Sequence, residues 1–147
     1  MQKIPLEIIN LEGDGFHILV DVHLLDKTFK MVLDTGASKT VLDKNTLIEA
    51  GIQDEDFEST NIISTGLGTN SMESFMLKIP ELRLENWLIK NHLTAVLDLS
   101  TINYAYNQMN FSPVVGVLGG DILRQYGAVI DYKKKTLTLT NRKLKLK

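Results

Sequence analysis

The sequence predicts a mainly β domain with a few short helices, folded as a barrel or a sandwich. Short apolar runs rich in β-branched residues recur along the chain, and turn residues separate them. Helical signals are confined to brief stretches. The length of 147 residues and a composition that is 44% hydrophobic and 23% charged are those of an ordinary globular domain. We therefore expect one domain over residues 1–147.

The first half of the chain is expected to hold two strands, a short helix and a hairpin. Residues 25–27 suit a turn between the strands. The helix has Asp43 in position to cap its N-terminus and Gly51 to end it. A polar stretch interrupted by glycines indicates the hairpin. In order, these elements are predicted at residues 16–22, 28–33, 43–51 and 61–77.

The second half is expected to alternate strands with two short helices. Its first apolar stretch is predicted to be two or three strands, broken near Pro80 and at residues 90–92. Ser100 is the predicted N-cap of the following helix, and Gly127 ends the next one. In order, the segments are 76–98, 100–109, 114–118, 121–126, 128–132 and 136–140.

Composition and charge exclude several classes of function. The chain has 16 Lys and Arg residues against 18 Asp and Glu, so it lacks the basic excess that nucleic-acid binding requires. It contains no cysteine, and therefore no disulfide, thiol nucleophile or thiolate metal site. No apolar run reaches the roughly 20 residues that span a bilayer, and no signal peptide is visible. We expect a cytoplasmic protein without a membrane or nucleic-acid partner, and a secreted or periplasmic protein whose signal has been removed stays open as an alternative.

The three histidines do not predict a metal site. His17 and His23 share a predicted strand, and their separation by six residues places them about 20 Å apart. His92 stands alone and is expected to be a surface or structural residue. No cofactor or metal is expected.

The segment most informative about chemistry follows the second predicted strand. An apolar strand ends in the carboxylate of Asp34, and Thr35, Gly36, Ala37 and Ser38 come next. With its two preceding apolar residues, this pattern occurs by chance in about one chain in 10⁴ at average composition. It resembles the catalytic loop of the aspartic peptidases, and in particular that of the single-lobed, retropepsin-like group. The resemblance implies a retropepsin-like β-barrel.

The later apolar segment also resembles this family. Val117, Leu118 and Gly119 match the apolar-apolar-glycine sequence that packs beside the catalytic loop in the family. The resemblance covers about residues 16–140. Residues 98–113 depart from it, since they are an insertion relative to the compact viral members.

The glycines of the predicted hairpin take the place of the family's flap. Gly66, Leu67 and Gly68 lie at its tip, where the resemblance implies a hinged cover that contacts the substrate. A phosphate-binding loop is disfavoured because no Gly-Lys-Ser/Thr ending follows. A plain surface hairpin stays open as an alternative.

The chemistry of amide hydrolysis explains the pattern at Asp34. One ionised carboxylate can take a proton from water while a neutral one protonates the carbonyl oxygen, and two carboxyl groups about 3 Å apart share one proton. The resemblance implies that Thr35 bonds across a two-fold axis. A glycine at position 36 lets the backbone approach and donate to the carboxylate.

Only one such loop is present in the sequence. Asp98, Asp121 and Asp131 also follow apolar or glycine residues, but none is followed by Thr-Gly. A symmetric homodimer that pairs Asp34 of each subunit is therefore the direct inference, and its substrate would be a polypeptide. The reaction expected is that of an aspartic endopeptidase.

The residue after the motif predicts the working pH. Pepsin-like members place a hydroxyl residue there, whereas this chain has Ala37, which donates no side-chain hydrogen bond to the ionised carboxylate. Loss of that donor makes ionisation of the pair less favourable. We expect greatest activity at mildly acidic to near-neutral pH.

Three other interpretations stay open at this stage. Asp34 could be a capping residue in an ordinary strand-end turn. The chain could be an inactive peptide-binding or scaffold dimer on the same fold. It could also be a monomeric β domain in which Asp34 has no partner.

Overall fold

The computed structural model describes residues 1–64 and 72–145, and side chains at all of these except 14, 60–64 and 72–73. Its strands are β1 Gln2–Pro5, β2 Glu7–Asn10, β3 Phe16–Leu24, β4 Lys27–Leu33, β5 Val41–Asp43, β6 Glu58–Ser64, β7 Met72–Leu84, β8 Trp87–Leu97, β9 Val114–Leu118, β10 Val129–Asp131 and β11 Thr136–Leu139. Its α-helices are α1 Lys44–Glu49, α2 Ser100–Gln108 and α3 Gly120–Leu123, and 3-10 turns form at Glu12–Asp14 and Asp54–Asp56. None of the helices in the described part of the chain is long and apolar enough to cross a membrane.

The strands of the larger sheet close into a barrel. Their order is β2-β3-β4-β9-β5-β8-β7-β6, and an additional pairing of β3 with β7 joins His23 to Arg83. The closed ring therefore runs through β3, β4, β9, β5, β8 and β7, with β2 and β6 attached outside it. The predicted mainly β barrel with short helices is confirmed.

A second, smaller sheet is built from the ends of the chain. Its order is β1-β11-β10, so β10 pairs with β11 on one side only. The strand patterns do not predict β1 and β2, because each has four residues and Pro5 interrupts the run between them. In the structure, burial of Ile4 and Ile9 holds both strands against the rest of the fold.

The predicted breaks near Pro80 and at residues 90–92 are wrong. Strands β7 and β8 are long partners that pass through both positions, and the turn between them includes Glu85, whose φ is 52°. Pro80 has no N–H to donate, and Asn91 has a φ of 56°, so the irregularity is local. Pairing resumes on either side, at Ile79 with His92 and at Glu81 with Lys90.

The two predicted helix N-caps have different outcomes. Asp43 caps α1 as predicted, because its carboxylate accepts a hydrogen bond from the N–H of Thr46 at 3.1 Å. The prediction of Ser100 as the cap of α2 is wrong, since Ser100 is the first helical residue and Leu99 precedes it. Leu99 is the N-cap residue and provides no side-chain cap, while Asp98 before it accepts from the N–H of Ser100 at 2.9 Å through Oδ1.

The segment 98–113 packs α2 on the outside of the barrel. Tyr106 of α2 is buried and joins a second apolar cluster that includes Leu19, Val32 and Val114. Asn103 fixes the helix further, because its side chain exchanges two hydrogen bonds with the backbone of Val114, at 2.8 and 3.1 Å. The segment is thus an integral layer against β2, β3, β4 and β9.

Candidate active site

Asp34 lies where two parallel strands end together. β4 and β9 run side by side, with Val32 opposite Val117 and Leu33 opposite Leu118. The N–H of Asp34 donates to the carbonyl of Leu118 at 3.0 Å, so the strand pairing continues up to the carboxylate-bearing residue. Leu118 is fully buried beneath it, whereas Asp34 itself is exposed. The fold therefore presents this carboxylate to solvent on a rigid base.

Gly36 holds the Asp34 carboxylate from the backbone. Its N–H donates to Asp34 Oδ1 at 2.9 Å, and a Cβ at position 36 would lie only 3.3 Å from that oxygen. The close backbone approach predicted for this glycine is confirmed. Ala37 closes the turn through its backbone, because its N–H donates to the carbonyl of Asp34 at 3.2 Å.

The later glycine segment packs directly on the loop 34–40. A Cβ at Gly119 would lie 2.6 Å from the backbone of Lys39, a distance that only glycine permits. Two further bonds join the segments, from the N–H of Gly120 to the carbonyl of Ala37 at 2.7 Å and from the N–H of Asp121 to the carbonyl of Ser38 at 3.1 Å. The structure thus brings the predicted loop residues and the 117–119 segment together.

A cluster of three polar side chains lies behind the loop, and the sequence patterns do not predict it. Thr40 donates to Asp121 Oδ1 from its N–H at 2.9 Å and from its hydroxyl at 2.7 Å. His92 reaches the other oxygen, with Nε2 at 3.2 Å from Oδ2. Thr40 is 1% exposed, so its hydroxyl needs a hydrogen-bond partner, but the sequence does not show that this residue is buried.

The hydrogen bonds to Asp121 decide its charge. Burial alone would raise the pKa of this carboxyl, but the hydrogen bonds from His92 and Thr40 outweigh burial and lower the pKa below its ordinary value. Asp121 is therefore an ionised acceptor at neutral pH, with both oxygens engaged.

A cavity of about 370 Å³ opens beside Asp34. Its walls are mostly apolar, and Asp34 is the one carboxylate among them in the described part of the chain. The lining side chains come from β3, β4, α2, β9 and β10 as well as the loop, and include Phe16, His17, Val32, Asp34, Thr35, Leu99, Ile102, Val117, Ile130 and Tyr132. An apolar hollow next to an exposed acid suits an apolar side chain of a bound ligand.

Helix α2 orients a histidine in that wall. The Tyr106 hydroxyl lies 2.7 Å from His17 Nδ1, and burial raises the pKa of Tyr106 to about 12. The phenol therefore stays protonated at neutral pH, and its hydrogen bond with Nδ1 fixes the orientation of the His17 ring. Tyr104 of the same helix is 67% exposed and makes no comparable contact with the cavity wall.

The predicted flap residues Gly66, Leu67 and Gly68 lie outside the described residues. The base of the hairpin is described, with Glu58 opposite Met76 and Ser64 opposite Met72. The described residues contain no group of three or more His, Asp or Glu side chains placed to hold a metal ion.

Fold and site together define a class. A closed barrel with an Asp-Thr-Gly loop at the end of one strand, packed on a glycine segment that follows its parallel neighbour, has the architecture of a single-lobed aspartic protease. Residues 20–125 match the model of the gag-polyprotein putative aspartyl protease family, which is more than half of the chain. The chain belongs to that family.

Solved structures share the fold at low sequence identity. A retropepsin-like aspartic protease from Rickettsia conorii matches with a TM-score of 0.56 and 21% identity over 94% of this chain and 92% of that one. The retroviral protease-like domain of Ddi1 from Leishmania major matches with a TM-score of 0.58 and 17% identity, covering 85% and 89%. EIAV protease, solved with the inhibitor HBY-793, gives 0.50 and 24% identity, covering 72% and 84%. No curated protein matches the chain significantly.

Proposed function

We propose that this protein is an aspartic endopeptidase whose active site forms between two copies of the chain. The observation that carries the proposal is the state of Asp34, an exposed carboxylate fixed at a strand end by the N–H of Gly36 and open to an apolar cavity. Family membership and the likeness to known retropepsin-like structures support the same reaction class.

The need for a second copy follows from the acids around the loop. A water-activating pair requires two carboxyl groups in contact, and Asp34 is the single acid that the described residues contribute to the lining of its cavity. Asp121 adjoins the loop from the other side, but Thr40 and His92 occupy its oxygens. The second carboxylate is therefore assigned to Asp34 of another subunit, related by a two-fold axis.

The free edge of β10 supports the place of contact. Within the part of the chain that the structure describes, this strand has β11 on one side only, and edge strands readily pair with another chain. Val129 is 55% exposed and Tyr132 is 66% exposed, although both are large apolar residues. Phe16, 70% exposed, lines the Asp34 cavity together with Tyr132. An apolar edge next to the incomplete site is where a second subunit would complete it.

The proposed reaction needs no cofactor. One Asp34 carboxylate accepts a proton from water as the water oxygen bonds to the peptide carbonyl carbon, and the protonated Asp34 of the other subunit gives its proton to the carbonyl oxygen. The carbon–nitrogen bond then breaks, the nitrogen takes the proton from the first carboxyl, and a hydroxyl proton returns to the second. Both carboxyls end in their starting states.

The remaining predicted residues take supporting roles in this proposal. Thr35 bonds across the two-fold axis and Gly36 holds one carboxylate oxygen, so each acid is positioned before substrate arrives. The flap that the sequence predicts between β6 and β7 would cover an extended peptide, which binds partly through backbone hydrogen bonds.

The proposal is tested by measuring cleavage of a diverse peptide library and the molecular mass in solution. Both are measured for the wild type, Asp34→Asn and Asp26→Asn. Asp26 is a matched control because its carboxylate lies in the turn between β3 and β4, away from the site. We expect the wild type and Asp26→Asn to cleave as dimers and Asp34→Asn to be inactive. Peptide binding without cleavage would indicate an inactive binding dimer, and an inert monomer would contradict both functions.

A further inference from the structure

We propose that His92 and Asp121 are positioning residues for Asp34, which act by fixing Thr40 and with it the far end of the loop 34–40. The proposal rests on the proposed peptidase function for its kinetic consequences. Neither residue touches the cavity at Asp34, so their effect would pass through the loop.

The loop is held differently at its two ends. At the near end, the N–H of Asp34 continues the β4–β9 pairing by donating to Leu118. At the far end, no such strand pairing reaches Thr40 before β5 begins, and Asp121 supplies the anchor through two hydrogen bonds of 2.9 and 2.7 Å. The Thr40 hydroxyl also accepts from the N–H of Gly119 at 3.1 Å. The hydroxyl thus links the loop, the glycine segment and Asp121 at one point.

His92 makes this anchor rigid. The loop 34–40 leads into β5, and β5 lies between β9 and β8 in the sheet. His92 is on β8, so its bond to Asp121 ties the start of α3 to the strand on the far side of β5. Asp121 Oδ1 already accepts three donors, from the N–H and hydroxyl of Thr40 and from the N–H of Ile122. Oδ2 is held by the Nε2–H of His92, which fixes the rotation of the carboxylate.

The bond geometry requires a donor at position 92 and an acceptor at position 121. Glutamine at 92 keeps an amide N–H that can reach Oδ2, whereas leucine has a similar volume and no donor. Asparagine at 121 keeps an oxygen for Thr40 but turns an NH₂ group toward the His92 donor. Three variants therefore separate the hydrogen bond from the volume of the side chain.

Catalysis is more sensitive than folding to this anchor. A displacement of about 1 Å at a reacting group costs about 100-fold in rate. Movement of the far end of the loop would pass to Asp34 through Gly36, whose N–H is bonded to the carboxylate. Most of the cavity wall lies on strands and on α2, outside the loop, so we expect the loss chiefly in kcat and only a small change in KM.

The test measures kcat, KM, dimer mass and thermal unfolding for His92→Leu, His92→Gln and Asp121→Asn, with His23→Leu as a histidine control on β3. We expect His92→Leu and Asp121→Asn to lose about 10- to 100-fold in kcat with KM within about twofold and the dimer intact. His92→Gln should recover most of the rate, and His23→Leu should match wild type. A folded His92→Leu with wild-type kcat, or a His92→Gln as slow as His92→Leu, would overturn the proposal.

Amide hydrogen exchange at Gly36 and Thr40 provides a readout that needs no activity. We expect faster exchange at both amides in His92→Leu and wild-type exchange in His92→Gln. The two possible failures are distinguishable. If the wild type shows no cleavage that depends on Asp34, the proposed function fails. If amide exchange in His92→Leu is the same as in the wild type, the positioning role is rejected whether or not the protein cleaves peptides. If His92→Leu does not fold, the same measurements compare Asp121→Asn with the wild type. This variant keeps an oxygen that accepts the hydrogen bonds from Thr40.

Discussion

At the scale of single residues, contacts of two kinds hold the loop that carries Asp34. Local contacts, such as the N–H of Gly36 on Asp34 Oδ1, join residues two apart in the chain. Such contacts can be predicted from the sequence, because the residues Asp-Thr-Gly themselves form the turn that brings the two groups together. The bond between His92 and Asp121 joins residues 29 apart. It depends on β8, β5 and β9 being neighbours, which the local pattern of either residue cannot specify.

Replacing Gly36 by alanine tests the local contact. The added Cβ would lie 3.3 Å from Asp34 Oδ1, so the carboxylate or the loop must shift. We expect cleavage to fall by about 10-fold or more with a change of at most about 1 kcal/mol in the free energy of unfolding. Gly13→Ala is the control, because a Cβ there meets nothing within 4 Å. Wild-type cleavage by Gly36→Ala would show that this approach does not position the acid.

Replacing Asp121 by asparagine should alter the pH dependence of stability. The pKa of Asp121 is lower in the folded chain than its ordinary value of 3.8, so its ionisation stabilises the fold above about pH 4, and this stabilisation is lost as pH falls through the folded-state pKa. We expect Asp121→Asn to cost about 1–2 kcal/mol of unfolding free energy near pH 6 and less at pH 3. Urea unfolding at both pH values measures it. An equal loss at both would contradict the lowered pKa.

At the scale of elements, the sequence predicts strands better than it predicts where they end. The strands β3 and β4 and the helix α1 have clear turn or cap residues at their borders, and they form where predicted. Pro80 and Asn91 resemble strand ends, but β7 and β8 continue because the residues on both sides pair across the hairpin and bury their apolar face. Tertiary packing overrides a local break of this kind.

Helix α2 shows the same limit, since its sequence indicates a helix without indicating what it covers. Tyr106 is 1% exposed, and its hydroxyl shares a hydrogen bond of 2.7 Å with His17 Nδ1. We expect Tyr106→Phe to cost about 1 kcal/mol in unfolding free energy and to raise KM, because His17 lines the cavity. Tyr104→Phe, 67% exposed, is the control. Chemical unfolding and peptide kinetics measure both effects, and equal behaviour of the two variants would contradict the role of this bond.

At the scale of the whole molecule, a closed barrel leaves few places for a second subunit to pair. Six strands form the ring, so the free edges of the described sheets lie at their outer strands. The edge formed by β10 is the one next to the Asp34 cavity. The sequence predicts the need for a dimer from one Asp-Thr-Gly loop, but it cannot predict this surface, because β1 and β11 come from opposite ends of the chain.

A charge placed on that edge should weaken the proposed dimer. Val129 is 55% exposed on β10, and a lysine there would be desolvated or repelled in a two-fold contact. We expect Val129→Lys to be folded, to sediment as a monomer at concentrations where the wild type is a dimer, and to lose cleavage with it. Leu93→Lys is the control, because Leu93 is 54% exposed on β8. A dimeric Val129→Lys variant would place the interface elsewhere.

The most direct test of the central claim, that one active site uses Asp34 from two chains, is a subunit-mixing experiment. Wild type at fixed concentration is equilibrated with increasing amounts of Asp34→Asn, and the rate of peptide cleavage is measured. Random pairing at equal amounts leaves about half of the wild-type chains in wild-type dimers, so the rate should fall to about half and continue toward zero as the variant is added in excess. A rate that stays constant would show that each chain carries a complete active site and would contradict the claim.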